Sequence, residues 1–183
     1  RTVGHPRRRA GLERRLVRIA VIAPPWVPVP PPAYGGTEAV LDGLARGLVD
    51  AGHDVLLIAH PDSTCPVRRA SIVPAREARP MGRAVVELEH ALGAYDLARD
   101  YDVISDHTTA GPIVALADPR PPVVATNHNP FGRSREAIYR RASQRVAVVA
   151  ISQSHAASTD VPIAAVIPHG LDVSTFPVGA GDG

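Results

Sequence analysis

The chain has 183 residues, of which 45% are hydrophobic and 21% charged, and its formal net charge is +2 at pH 7. This length fits one domain with a substantial core and excludes a two-domain protein of ordinary size. A single cysteine, Cys65, excludes an internal disulfide. With no stretch of 18 apolar residues and no secretory signal, we expect a cytoplasmic protein without an integral membrane segment.

Residues 1–17 are predicted to form a basic, flexible extension. Seven arginines fall within residues 1–18, where Glu13 is the only acid. Such a segment can bind nucleic acid or acidic lipid, but this one lacks aromatic side chains for base stacking and has no zinc-ligand spacing. We therefore expect no nucleic-acid partner, and peripheral contact with a membrane stays open.

The first predicted elements are a strand over residues 18–23, an extended loop over 24–33 and a helix over 37–51. The strand is a continuous β-branched and apolar run, which is typical of a parallel strand covered on both faces. Six prolines stiffen the loop, because each proline fixes φ and removes a backbone donor. The arrangement predicts a crossover that faces a ligand.

The segment Tyr34-Gly35-Gly36-Thr37-Glu38 joins this loop to the helix. Without side chains, Gly35 and Gly36 let a ligand approach the backbone, and the free N–H groups of a helix start favour an anion. Thr37 is predicted to be the N-cap, and Glu38 complements the positive end of the helix. The segment therefore predicts binding of an acceptor or a phosphate.

Strand and helix patterns alternate through the rest of the sequence. The further predicted strands are residues 54–59, 70–73, 103–105, 123–126, 146–151 and 164–167, and the further predicted helices are 81–99, 109–117, 134–141 and 155–159. An apolar stripe on the helix over 81–99 consists of Val85, Leu88, Leu92, Tyr95 and Leu97. The alternation predicts an α/β fold, namely a Rossmann-like three-layer domain with a mostly parallel sheet, in which ligands bind beyond the carboxyl ends of the strands.

Four histidines, His60, His107, His128 and His169, fall within about two residues of the carboxyl end of a predicted strand, the edge where such sheets bind ligands. Polar residues are also expected wherever strands leave a core. Asp106 beside His107 suits hydrogen bonding to hydroxyls or acid/base work near neutral pH. Adjacent strand residues point to opposite faces, however, so the two need not act together and one can simply cap the next helix.

Two more polar segments follow predicted strands. Thr126-Asn127-His128-Asn129 offers four polar side chains in a row, which predicts a loop that contacts a sugar. Ser152 either caps the next segment or holds a phosphate oxygen, and capping is the preferred interpretation.

Several common catalytic patterns are missing from the sequence. GxxxxGK[ST], GxGxxG and HExxH do not occur. Glu38 and Asp172 do not form a carboxylate pair of the glycosidase type. We therefore expect no metal site and no cofactor.

Taken together, seven segments resemble the N-terminal half of family 4 glycosyltransferases in order and spacing. They are RIAVIAPPW, PPPAYGGTE, ARGLVDAGHDVLLIA, YDVISDHT, PPVVATNHN, VVAISQSHA and VIPHGLDVSTF. The similarity covers residues 18–176. These enzymes are retaining sugar transferases of the GT-B fold, in which a first Rossmann-like domain supplies the acceptor pocket and a second binds the nucleotide-sugar donor. The resemblance implies that residues 18–168 are the first domain and that residues 169–183 begin the crossover to the second.

The resemblance also implies roles for individual residues. Gly35 and Gly36 would lie against the cleft near the donor diphosphate or the acceptor, His107 would contact the transferred sugar, and His128 would line the acceptor side. The candidate site comprises His107 as the catalytic residue and, as substrate-binding residues, Gly35, Gly36, Thr37, Glu38, Asp106, Thr108, Asn127, His128 and Ser152.

The sequence departs from the family pattern at its end, because the printed chain stops at Gly183. The family's second domain carries basic residues for the donor diphosphate and an E-x7-E segment, and this chain has neither. We therefore expect the chain alone to bind a hydroxyl acceptor without turnover, since the nucleotide sugar would be held mainly by the absent domain.

Two alternatives belong to other functional classes. One is a metal-assisted hydrolase that uses Asp106, His107 and His128 at the strand ends. The other is a non-catalytic carbohydrate-binding module.

Overall fold

The computed structural model describes residues 16–78, 81–118, 121–170 and residue 179. The predicted basic extension lies almost entirely outside these residues, as does most of the predicted crossover. The strands are β1 (Arg18–Ile22), β2 (Asp54–Ile58), β3 (Arg68–Ala70), β4 (Val103–Asp106), β5 (Val123–Thr126), β6 (Ala147–Ala150) and β7 (Ala165–Val166). The helices are α1 (Gly36–Asp50), α2 (Ala84–Leu97), α3 (Gly111–Val114), α4 (Arg133–Ala142) and α5 (Gln153–Ala157).

The described strands form one sheet in the order β3-β2-β1-β4-β5-β6-β7, and every pairing is parallel. The chain moves outward from β1 to β3 on one side, and then returns past β1 to build β4 to β7 on the other. This confirms the predicted Rossmann-like α/β fold. The reversal lies between β1 and β4, where parallel sheets of this kind leave a crevice for ligands at the carboxyl edge.

Alternating strand residues divide the core into two layers. Ala20 and Ile22 of β1 join a cluster under α2 and α4, whereas Ile19 and Val21 join a cluster under α1. Both layers are buried, so β1 has no polar residue between Ile19 and Ile22. A strand covered on both faces needs such a run.

Helix α1 begins one residue earlier than the sequence predicts. Gly35 occupies the N-cap position without any side-chain capping bond, and Thr37 lies inside the first turn. The predicted N-cap role of Thr37 is therefore wrong, because the helix starts at the second glycine. Glu38 does lie in the first turn, and Gly52 follows the helix with a φ of 90°, a left-handed conformation that favours glycine.

The apolar stripe predicted on α2 faces outward for most of its length. Val85 is 76% exposed and Leu92 is 51% exposed, whereas the helix buries Val86, His90, Ala91 and Ala94. Small residues on the inner side let α2 lie close to its neighbours. A Cβ added at Gly93, for example, would approach Ile72 Cγ2 to 2.6 Å. Close packing, rather than side-chain size, therefore decides which face of α2 is buried.

Other differences concern element boundaries. Strand β3 pairs through residues 68–70 rather than 70–73, and its three residues include two arginines at the edge of the sheet. The helix predicted over 109–117 is four residues long. Within the part of the chain that the structure describes, none of the helices combines the length and apolar character that a bilayer crossing requires.

Candidate functional site

The carboxyl ends of neighbouring strands bring the predicted site segments to one edge. Ile22 of β1 pairs with Asp106 of β4, and Asp106 pairs with Ala125 of β5. Thr126 of β5 pairs in turn with Val149 of β6. The loops that follow β1, β4, β5 and β6 therefore leave the sheet side by side.

The two glycines at the start of α1, Gly35 as the N-cap and Gly36 as the first helical residue, have different surroundings. A Cβ added at Gly35 would lie 2.5 Å from the Cβ of Pro31, so Gly35 lets the proline-rich loop pack against the helix start. A Cβ added at Gly36 would meet no atom within 4 Å. Gly36 is thus the glycine that leaves open space beside the backbone. Glu38, in the same turn, is 7% exposed, and burial raises the pKa of its carboxyl group.

The imidazole of His107 contacts protein atoms through both ring nitrogens. Its Nε2 lies 3.0 Å from Ser105 Oγ, and its Nδ1 lies 2.8 Å from Nε2 of His128. Burial lowers the pKa of His107 well below its ordinary value, and the neighbouring histidines lower it further. Burial likewise lowers the pKa of His128 to about 4. Both rings are therefore neutral near pH 7.

His169 extends this pair toward the surface. Its Nε2 lies 3.3 Å from Nδ1 of His128, and the two rings are nearly parallel, with centroids 5.0 Å apart. His169 is exposed. Of the four strand-end histidines, His60 stands apart, since it is buried after β2, where its Nδ1 accepts a hydrogen bond from Asp62 N.

Asp106 points to the opposite face of the sheet from His107. Its carboxylate accepts hydrogen bonds from the Tyr95 hydroxyl (2.7 Å) and from Thr108 N and Oγ1 (both 2.8 Å). Thr108 Oγ1 in turn accepts from Gly111 N, at the start of α3. Burial raises the pKa of Asp106 to about 6, although these hydrogen bonds oppose the rise.

Asp106 and Thr108 therefore fasten the β4 loop to the helix layer. Their polar side-chain atoms are used within the protein and do not line the pocket described below. This placement gives both side chains a structural role, and their substrate contact stays a prediction. It also weakens the hydrolase alternative, which needs Asp106 and His107 on one face.

The loop after β5 is held by its own amide. Asn127 is 2% exposed, its Oδ1 accepts from Asn129 N (3.1 Å), and its Nδ2 donates to Asn129 O (2.8 Å). His155 Nε2 donates to the same carbonyl (2.9 Å), while its Nδ1 accepts from Ile151 N (3.3 Å). Asn127 thus shapes the loop that carries His128, and the predicted sugar contact by Asn127 is not what its geometry favours.

Ser152 caps the helix that follows it. Its Oγ accepts a hydrogen bond from His155 N at 3.0 Å, which is N-cap geometry for α5. This agrees with the preferred interpretation of Ser152 as a capping residue.

A pocket of about 610 Å³ lies on the sheet face that α1 covers only in part. One wall is α1, and the other is the outward-facing side of β4, β5 and β6. Its lining residues are Val40, Gly43, Leu44, Gly47, Leu48, Ser105, His107, Val124, Thr126, His128, Val149, Ile167, Pro168, His169 and Gly170. None of these described residues carries a carboxylate or a guanidinium group. Residues 40–48 of α1 and the two central histidines therefore share one largely apolar pocket.

The histidines are not arranged as metal ligands. Among the residues that the structure describes, no group of three or more His, Cys, Asp or Glu side chains is placed to hold a metal ion. Instead, a ring nitrogen of His107 faces one of His128, and the other ring nitrogen of His128 faces one of His169.

Sequence inspection missed three contacts of the site. Ser105 lies two residues before His107, so it shares a strand face with His107, and this spacing was the available signal. Tyr95 was assigned only to an apolar stripe, although its hydroxyl reaches Asp106. No local pattern connects His155 with Asn129, because that contact joins the loops of two strands.

Comparisons with known proteins agree with this architecture. The sequence model of Glycosyltransferase Family 4 matches residues 34–175. The fold is similar to that of AviGT4, a glycosyltransferase involved in avilamycin A biosynthesis, at 24% identity and a TM-score of 0.55, covering 88% of this chain and 44% of that one. No match was found among curated protein sequences.

Two further solved structures have the same fold. Sucrose-phosphate synthase from Thermosynechococcus elongatus is 17% identical with a TM-score of 0.61, covering 88% of this chain and 50% of that one. Anabaena HepE, solved in complex with UDP-glucose, is 18% identical with a TM-score of 0.60, covering 90% and 47%. This chain thus spans about half the length of these GT-B proteins. Because the family match covers more than half of the chain, the protein belongs to glycosyltransferase family 4.

Proposed function

We propose that this chain is the acceptor-side domain of a retaining glycosyltransferase, which moves a sugar from a nucleotide diphosphate sugar to a hydroxyl acceptor. Turnover would require a second domain that holds the donor. The observation that carries the proposal is the meeting of α1 with His107 and His128 around one pocket.

The helix start suits the charged part of a donor. Gly36 begins a 15-residue helix whose first N–H groups point toward the carboxyl edge, and no side chain fills the space beside it. A phosphate oxygen or an acceptor hydroxyl placed there would meet unpaired backbone donors and the positive end of the helix dipole.

His107 and His128 are suited to hydrogen bonding with the hydroxyl groups of a sugar. Each neutral imidazole offers one donor and one acceptor, which matches a hydroxyl group that does both. We assign the contact with the transferred sugar to His107 and the acceptor side to His128. In the front-face mechanism that the family implies, the leaving diphosphate assists departure, and neither histidine becomes a covalent nucleophile.

The same pocket lacks what a diphosphate leaving group needs. Negative charge that develops on the diphosphate must be stabilised by preorganised donors or cations. The described pocket residues include no arginine, and one helix start supplies only a fraction of a charge. We therefore expect the isolated chain to be inactive.

The first test substitutes Gly36. Gly36→Val should leave the fold intact, because the added side chain enters open space, and should weaken binding of a donor probe such as UDP-glucose by about tenfold or more, equivalent to about 1.4 kcal/mol. Ligand-observed NMR titration of the chain measures this. Gly132→Ala, also in open space before α4, is the matched control. Unchanged affinity in Gly36→Val would remove Gly36 from the site.

A transfer assay tests the need for a second domain. Incubation of the isolated chain with nucleotide sugars and a panel of hydroxyl acceptors should give no glycoside above background. Robust transfer by the 183-residue chain would contradict the proposed requirement for a second, donor-binding domain. Stoichiometric zinc or manganese together with hydrolytic activity would instead support the hydrolase alternative.

A further inference from the structure

We propose that His169 and Ser105 are positioning residues for His107. They act from the two ends of a hydrogen-bonded chain in which His128 is the middle member, and together they select one shared tautomer for the two central rings. The inference rests on the proposed sugar contact of His107, because that contact depends on which ring nitrogen carries the proton.

The hydrogen-bonded chain of side chains runs without a break from β4 to the protein surface. Ser105 Oγ lies 3.0 Å from His107 Nε2, and His107 Nδ1 lies 2.8 Å from His128 Nε2. His128 Nδ1 then lies 3.3 Å from His169 Nε2. The centroids of the first ring pair are 5.1 Å apart with a 36° tilt, so these rings meet through their nitrogen edges rather than face to face.

Each contact in this chain needs one donor and one acceptor. A neutral imidazole has a single N–H, so a ring that donates through one nitrogen must accept through the other. If His107 donates from Nδ1, His128 accepts at Nε2 and must itself carry its proton on Nδ1. If His128 donates from Nε2, His107 accepts at Nδ1 and carries its proton on Nε2. His107 and His128 therefore share one tautomer in either case.

The ends of the chain decide between these two states. Ser105 donates to His107 Nε2 in the first state and accepts from it in the second. His169 Nε2 accepts from His128 Nδ1 in the first state and donates to it in the second. Each end forms its bond in both states but with a different strength, because a hydroxyl and an imidazole differ as donors and as acceptors. Loss of either end therefore changes the balance between the two states.

The surroundings keep the three imidazoles of this hydrogen-bonded chain uncharged near neutral pH. Burial lowers the pKa of both central rings, and His169 has a lowered pKa as well. His155 of α5 also lowers the pKa of His128, and its ring is turned toward Asn129 O. The pocket residues on α1 and on β5 to β7 add no other ionisable side chain. No carboxylate among the described pocket residues is available to stabilise an imidazolium.

The arrangement also defines how a sugar hydroxyl reaches His107. Both ring nitrogens are occupied, so a hydroxyl must take the place of one partner. Ser105 is fixed within β4, whereas His128 sits on the loop after β5. His128 is therefore the partner that gives way, and His169 stacked against it resists that movement.

Histidine tautomers can be measured directly in the ¹⁵N-labelled chain by long-range ¹H–¹⁵N correlation at pH 7. One tautomer, the same for His107 and His128, is expected to dominate. In His169→Phe, which keeps an aromatic ring but not the hydrogen bond, the tautomer ratio of both rings should change together, by at most about fivefold, the size expected for one net hydrogen bond. His169→Gln, whose amide can donate or accept, should restore the ratio.

A second variant and a control complete the test. Ser105→Ala should change the same ratio from the other end of the chain, and Glu89→Gln on the exposed side of α2 should leave it unchanged. Opposite tautomers in His107 and His128, a cationic ring at pH 7, or a His107 ratio unaffected by His169→Phe would overturn the proposal. This measurement needs no sugar. The tautomer ratios can therefore be interpreted even if the proposed glycosyl transfer fails its own test.

Discussion

Lowering the pH from 7 to 4 should strongly destabilise this domain, because three of its buried histidines are neutral when folded. Burial lowers the pKa of His90 and of His128 to about 4, and that of His107 well below its ordinary value. A histidine whose pKa falls on folding contributes stability that is complete above its unfolded pKa of about 6.5 and is lost as the pH falls toward the folded value.

The size of the effect can be gauged from His90. This ring is fully buried, and its Nε2 donates to Ala23 O at 2.9 Å. At about 1.4 kcal/mol for each pH unit, His90 alone accounts for a loss of about 3 kcal/mol between pH 6.5 and pH 4. Total stabilities of small domains are only about 5–15 kcal/mol.

Two carboxyl groups, Asp106 and Glu38, work in the opposite direction, because burial raises the pKa of both. The pKa of Asp106 is raised to about 6, so its contribution is complete below its unfolded pKa of about 3.9 and is lost as the pH rises through 6. Acidification therefore regains the contributions of Asp106 and Glu38 while it removes those of His90, His107 and His128. The net result is destabilisation at low pH.

Urea unfolding followed by circular dichroism at a series of pH values between 4 and 7 measures this dependence. His90→Gln is the informative variant, since an amide can still donate to Ala23 O but does not titrate. Its stability should fall less steeply on acidification, by about the 3 kcal/mol assigned to His90. An acid transition as steep as that of the wild type would show that His90 is not one of its causes.

The most damaging single methyl group should be the one added by Gly111→Ala. A Cβ at Gly111 would overlap the carboxylate of Asp106 and crowd Thr108 Oγ1 at 2.7 Å. Neither neighbour can move freely, because Asp106 is held by Tyr95 and by Thr108 itself. Forced overpacking costs about 1–3 kcal/mol and sometimes more, and here a buried hydrogen-bond network breaks as well, so we expect a loss of at least about 3 kcal/mol.

A matched substitution makes this prediction specific. Gly43→Ala, inside α1, places its Cβ in open space and should stabilise the helix by about 0.5–1 kcal/mol. Thermal unfolding of the two variants should therefore shift in opposite directions relative to the wild type. Equal shifts would indicate that the network around Asp106 tolerates rearrangement.

The sheet could be predicted from the sequence because its central strands are continuous apolar runs. A run such as residues 54–59 has one reasonable interpretation in an alternating α/β chain. Strand β3 was misplaced because it is short, contains two arginines and is defined by pairing with Leu56 to Ile58 rather than by its own composition. Burial on α2 was misjudged because alanine and glycine allow the close approach that large side chains prevent.

The meeting of three histidines at one edge of the sheet could be predicted from the sequence, but the hydrogen-bond partners of the neighbouring side chains could not. Strand-end position brought His107, His128 and His169 to one edge, since parallel strands end together. Period-two alternation separated Asp106 from His107. The internal use of Asn127 and Thr108 could not be predicted, because their hydrogen-bond partners depend on loop conformations that no spacing rule encodes.

The end of β4 is secured from two sides by different kinds of contact. Even-numbered Asp106 and Thr108 bind it to the helix layer, and odd-numbered Ser105 and His107 bind it to the imidazoles around the pocket. Within residues 105–108, alternate positions therefore have separate tasks: two anchor the end of the strand and two line the pocket. Substitutions at the two pocket positions could reshape the pocket while Asp106 and Thr108 keep the end of β4 anchored.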